Sequence, residues 1–204
     1  MPLPVWATDP SSLSITEEEY EALPSEVCKS IEVVNGSVVF CESPSLEHQV
    51  VSRNLTFALL AARPPSPCIN VVQDLDMRYR YSNPHASQRR DKKRFTVRRP
   101  DISVLHCIDR GAKLWSDDVI TAVEITSSDD DSDFTDKRAE YALQRIPAYL
   151  IVVMDDGRIG AIEEHRLDWS GRNYQLVAVH RGSLETELPE GMKLNVSFSE
   201  LESV

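Results

Sequence analysis

The chain has 204 residues, of which 41% are hydrophobic and 27% charged, and its formal net charge is −11. That is enough chain to bury a core in one domain, and its longest apolar runs, residues 148–154 and 57–62, are far too short to span a bilayer. So acidic a chain does not adhere to nucleic acid by net charge, which leaves a local basic patch as the electrostatic route to phosphates.

Residues 1–14, rich in Pro and Ser, read as a flexible arm ahead of a single domain over 15–204. The start lacks a basic segment followed by an apolar one, so cytoplasm is the expected location. Thr16 with Glu19 three residues on is a capping box, which predicts a short helix over 16–23, ended by Pro24. Residues 30–41 alternate around Asn35-Gly36, a pair that favours a type I′ turn between two strands. Ser45 caps a helix with Val50, Val51, Leu55, Leu59 and Leu60 near helical period, and Pro64, Pro65 and Pro67 stop it. Strands over 69–81 and about 95–105 make a hairpin with a long basic tip. Another strand covers 119–125.

Asp129 to Asp131 then open a helix that runs to about Arg145, with Ala139, Ala142, Leu143 and Ile146 as its apolar stripe. A strand over 148–154 turns at Asp156-Gly157 into 158–167, and Ser170-Gly171 turns that into 174–180. A last strand lies around 194–196, before a helical turn at 198–201. After the first hairpin the order is helix, three strands, helix, strand, with hairpins behind: an α/β chain with a mixed sheet flanked by helices. Cys28, Cys41, Cys68 and Cys107 show neither CxxC nor Cys/His spacing. They read as small buried apolar residues in a reducing compartment.

Two strands each carry an acid inside an apolar run. Ile102, Val104 and Leu105 follow Asp101, while Val123 and Ile125 flank Glu124. A carboxylate in such a setting is costly unless it is paired or binds a cation. Mg²⁺ takes hard oxygen ligands, commonly one or two carboxylates, with water and phosphate completing the shell. Asp101 and Glu124 supply such oxygens, and the Ile125 carbonyl adds a third. Lys137 then holds or deprotonates the attacking water and offsets charge on the transition state. Against this, an ideal helix puts Lys137 nearly opposite the apolar stripe, where Asp133 and Lys137 form an exposed i, i+4 pair. Glu47 and His48, opening the first long helix, are possible contributors to the metal site, and Asp133 and Tyr141 are supporting candidates behind it. Arg89, Arg90, Lys92, Lys93, Arg94, Arg98 and Arg99 stand against the lone acid Asp91, a cluster suited to nucleic-acid phosphates.

Pro100-Asp101 followed by Glu124 resembles the PD-(D/E)xK nuclease motif, except that Thr126 stands where a lysine is usual, two residues after the acid. More narrowly, the chain resembles the Uma-type family of restriction-endonuclease-like proteins. The matching segments are Val33–Val39, Glu47-His48-Gln49, Arg99-Pro100-Asp101-Ile102, Glu124–Ser128, Asp133 with Lys137 and Tyr141, Pro147–Val152 ending at Asp155, and Leu188–Leu194. Arg145 departs from the family pattern, in which Gly is usual. The resemblance implies a restriction-endonuclease-like mixed β-sheet with an αβββαβ core, flanking helices and extra β-hairpins. It implies a Mg²⁺- or Mn²⁺-dependent endonuclease acting on DNA. The alternative is a catalytically silent nucleic-acid-binding or regulatory module on the same fold. An unpaired edge among the C-terminal hairpins is a further expectation, as the basis of a homodimer.

Overall fold

The computed structural model describes residues 13–81, 95–127 and 131–204. Thr16 caps α1 (Glu17–Glu21): its hydroxyl accepts from the Glu19 N–H at 3.1 Å, and the Glu19 carboxylate accepts from the Thr16 N–H at 2.7 Å. Two amides left open at a helix start are thereby satisfied. A second short helix, α2 (Ser25–Cys28), follows Pro24 with no sequence signal of its own. β1 (Ile31–Val34) and β2 (Ser37–Phe40) pair through Asn35 and Gly36, whose φ angles of 52° and 80° suit a type I′ turn. α3 (Leu46–Ala61) begins at Ser45, whose side chain accepts from the His48 N–H.

The two arms of the ribbon predicted over 69–105 are present, its tip lying outside the described residues, and they divide between two sheets. Its outward arm is β3 (Ile69–Gln73) and β4 (Met77–Arg78); its return arm is β5 (Val97–Arg98) and β6 (Ile102–His106). β3 pairs with β6 and β4 with β5, yet the two pairs belong to different sheets. At one break Asp74 has a φ of 50°. In the other stands Pro100, which has no N–H for a ladder. Asp101 sits at this seam. The chain continues with β7 (Leu114–Trp115), β8 (Val119–Ser127), α4 (Asp131–Leu143), β9 (Ala148–Asp155), β10 (Arg158–Leu167), β11 (Tyr174–His180), β12 (Ser183–Leu188), β13 (Met192–Ser197) and α5 (Phe198–Leu201).

The larger sheet has the order β11-β10-β9-β8-β6-β3, and the smaller β2-β1-β5-β4-β7, while β12 and β13 form a separate hairpin. β8 and β9 are parallel, joined by the α4 crossover, and the other pairs of the larger sheet are antiparallel. On one face Val123, Ile125, Leu150 and Val152 pack with Leu55 and Leu59 of α3 and with residues of β12, β13 and α5. On the other, Ala122, Tyr149 and Ile151 pack with Tyr141 of α4, Met77 of β4 and Leu114 of β7. Both faces being covered, β8 and β9 are buried strands with apolar residues on both sides.

Two expectations are corrected. The apolar stripe assigned to α4 is only half right: Ala142 and Ile146 are buried, but Ala139 is exposed and Leu143 half-buried, and the polar Lys137, Tyr141 and Gln144 are buried in their stead. The cysteines are not four buried thiols. Cys68, ahead of β3, and Cys107, after β6, form a disulfide, Cys41 is exposed, and Cys28 is half-buried.

α4 ends in a Schellman motif. The Arg145 N–H donates to the Ala142 carbonyl and the Ile146 N–H to the Tyr141 carbonyl, with Arg145 left-handed at a φ of 63°. Gly adopts that conformation without strain. The Arg145 guanidinium lies 5.1 Å from the Tyr81 ring centroid, which offsets part of the strain. Arg145→Ala keeps the strain and loses the stacking. Arg145→Gly is therefore expected to be more stable than Arg145→Ala by about 1 kcal/mol, as read by urea denaturation; equal midpoints would contradict this account.

Candidate active site

In the antiparallel β6–β8 pair Ile102 lies opposite Val123. Continuing that register by one residue sets Asp101 opposite Glu124, and by two sets Pro100 opposite Ile125. Directly opposed residues of such a pair have Cβ atoms about 5 Å apart, and like charges there repel. Pro100 has no N–H to offer the Ile125 carbonyl, and the Ile125 N–H donates to Asp101 Oδ2 at 2.6 Å. The N–H and C=O of one extended residue turn to the same side. The Ile125 carbonyl therefore faces the edge where Asp101 stands.

Alternation along β8 sends Val123 and Ile125 towards α3 and Glu124 towards α4. Lys137 Nζ donates to Glu124 Oε2 at 3.0 Å, and the Tyr141 hydroxyl donates to Oε1 at 2.6 Å. Glu124 is 4% exposed and Lys137 9%. Spaced i, i+4, Lys137 and Tyr141 share one side of α4, and each meets a different oxygen of one carboxylate. From the start of α3, His48 brings Nε2 to 3.3 Å from Asp101 Oδ1, while its buried Nδ1 has no hydrogen-bond partner.

The structure thus brings together Asp101, Glu124, Ile125, Lys137, Tyr141 and His48. Glu47 is not among them: it is exposed, with its side chain beside Gly157 in the β9–β10 turn. Arg98 and Arg99 are not a phosphate-facing surface. Arg98 is 3% exposed and pairs with Glu140 and Glu32, while Arg99 binds Asp76 and the Cys28 and Lys29 carbonyls. Arg89, Arg90, Lys92, Lys93 and Arg94 lie outside the described residues, as does the side chain of Asp133. A groove of about 780 Å³ bordered by Tyr81, Glu140, Arg145 and Arg172 includes none of Asp101, Glu124 and Lys137.

Residues 17–199 match the family Uma2, described as "Putative restriction endonuclease". The chain belongs to the Uma2 family. A crystal structure described as a "putative nuclease belonging to DUF820 from Anabaena variabilis ATCC 29413" aligns with a TM-score of 0.63 at 16% identity. The alignment covers 93% of this chain and 98% of that one. A likeness at that identity speaks for the fold, which is restriction-endonuclease-like. No curated protein matches the chain. Among the described residues no helix is long and apolar enough to cross a membrane.

Within this Uma2 chain the site carries an excess of acid. Burial pushes the Glu124 carboxyl up to about 7; Lys137 opposes the shift, Asp101 and Glu32 add to it, and the Tyr141 hydrogen bond opposes it. Asp74, at the end of β3, is also raised, by burial and then by Asp101. Burial pulls the His48 imidazole down, but the Asp101 hydrogen bond and charge, with Asp74 and Glu124, outweigh it and leave it raised. Among the described residues no three His, Cys, Asp or Glu side chains gather as a metal cluster. Asp101, Glu124 and the Ile125 carbonyl are hard oxygens of the kind a small divalent cation takes, and such an ion would relieve the acid–acid repulsion.

Asp74, Glu32 and Glu140 join the surroundings of the site without being among the residues expected there. Glu32 sits between Ile31 and Val33, the same acid-in-apolar-strand signal that singles out Glu124, so it could have been found. Asp74 and Glu140 carry no such mark, because their setting is made by the fold.

The Glu124 shift has a consequence for stability. Its folded pKa of about 7 lies above the ordinary 4.5, so the folded state keeps a proton that the unfolded chain loses between these values. Its contribution is full below the ordinary value and is lost as pH rises through the folded one. In chelator-treated protein, the unfolding free energy should fall across that window relative to Glu124→Gln. Parallel curves for the two proteins would contradict the shift.

Proposed function

We propose that this chain is a divalent-cation-dependent endonuclease that hydrolyses DNA phosphodiester bonds. The observation that carries this reading is Lys137 Nζ at 3.0 Å from buried Glu124, with Asp101 bonded to the N–H of the next residue, Ile125. Asp101, Glu124 and the Ile125 carbonyl would hold Mg²⁺ or Mn²⁺. When bound, the ion would neutralise a non-bridging phosphate oxygen and acidify a water. Lys137 is placed to hold the attacking water and to offset charge on the five-coordinate phosphorus as the bond to the leaving sugar oxygen breaks. Tyr141 fixes the rotamer of Glu124, and His48 orients Asp101. Arg89, Arg90, Lys92, Lys93 and Arg94 are the proposed phosphate contacts; cytoplasm is the proposed location on the start of the chain alone, since the Cys68–Cys107 disulfide withdraws the support of the cysteines.

The second reading is a catalytically silent nucleic-acid-binding or regulatory module. Both oxygens of Glu124 already have donors, and that favours it. Titrating Mn²⁺ by calorimetry, with and without an oligonucleotide, separates the two: oligonucleotide binding without metal binding supports the module. For the nuclease, plasmid cleavage should require Mg²⁺ or Mn²⁺. Asp101→Ala and Lys137→Ala should each slow it by at least about a hundredfold. Cleavage that survives both changes, in preparations cleared of host nuclease, would remove the nuclease reading.

A further inference from the structure

The helix that carries Lys137 is docked largely by polar ends. Lys137 and Tyr141 meet Glu124, while Gln144 accepts from Ser116 Oγ at 2.8 Å and donates to the Tyr81 carbonyl at 2.6 Å. Between them Glu140 turns towards β5. Its oxygens accept from Arg98 Nε at 2.9 Å and Nη2 at 3.0 Å, side by side, and from the Tyr79 hydroxyl at 2.8 Å. Arg98 gives Nη1 to Glu32 Oε2 at 2.8 Å, and Glu32 Oε1 accepts the Arg99 backbone N–H at 2.7 Å. A buried planar guanidinium forked onto a carboxylate has a narrow range of orientations.

These contacts close a loop through the site. Arg98 lies three residues before Asp101 on one segment. Glu140 lies about one helical turn after Lys137 and next to Tyr141. The Arg98–Glu140 pair therefore ties the segment bearing Asp101 to the helix bearing Lys137, and the β6–β8 register ties Asp101 to Glu124. A smooth apolar face would let a helix roll slightly at little penalty; a two-pronged hydrogen bond weakens steeply when its angles change.

We propose that Arg98 and Glu140 are positioning residues, whose buried two-pronged pair holds α4 at the angle where the Lys137 ammonium meets Glu124. Their service to catalysis rests on the nuclease reading; their effect on Lys137 does not. Glu140→Gln keeps the shape but removes the charge and one of the two acceptors, so α4 rolls and Lys137 leaves its carboxylate.

The test uses full-length protein with ¹⁵N-lysine, in which the ammonium held by Glu124 gives a protected signal, assigned by its disappearance in Lys137→Ala. The signal should persist in Leu55→Ala, a core change on the opposite face of the sheet, and vanish in Glu140→Gln and Arg98→Met. In cation-dependent plasmid cleavage, Glu140→Gln should lower kcat about a hundredfold with KM for DNA unchanged, as expected when a group is misplaced by about an ångström. Should Arg98→Met fail to fold, Glu140→Gln decides alone. A Lys137 signal retained in Glu140→Gln with kcat intact overturns the proposal and leaves the nuclease reading standing. A signal lost in Glu140→Gln, in a protein that cleaves nothing, supports the positioning and removes the nuclease reading.

Discussion

A carboxylate enclosed between two packed layers must be answered where it stands, by a donor or a cation. Glu124 sets that requirement here. β8 is covered on both faces, so whichever way its acid turned it would enter the interior. The answer comes from α4, whose buried side carries an ammonium and a hydroxyl where an ordinary crossover helix would carry Leu or Ile. The placement of α4 answers this one buried charge, while the approach of Asp101 and Glu32 works against it.

The electrostatics around it are layered. Nearest are Lys137 and Tyr141. Behind them, Arg98 stands between Glu32 and Glu140, so the smaller sheet delivers a positive charge to a region where β1, β8, α4 and the break before β6 each bring an acid. Buried ion pairs are weak sources of stability, because desolvation opposes their attraction, but they are strict about geometry. That trade suits a site more than a core.

The sequence made much of this legible where the signal is local. Thr16 with Glu19, Asn35-Gly36, Ser45 and Asp156-Gly157 each act through neighbours a few residues away, and the corresponding elements follow. The acids at β6 and β8 were legible because an acid in an apolar strand has few innocent explanations. What was hidden depends on partners distant in the chain. Ala142 and Ile146 of the α4 stripe are buried as their period implies, but Lys137 and Tyr141 were hidden because apolar periodicity is blind to a helix docked partly by polar ends. Arg98 and Arg99 looked like surface charge because clustering says nothing about which members turn inward. The Cys68–Cys107 bond joins residues whose spacing carries no pairing rule.

The divided ribbon has a mechanical side. Its arms leave one sheet and enter the other on either side of Asp74 and Pro100, so the two sheets are stretches of a single strip with the acid at the crease. A twist applied to the smaller sheet is thus a torque on Asp101. The crease between the sheets and the proposed chemistry fall on the same few residues.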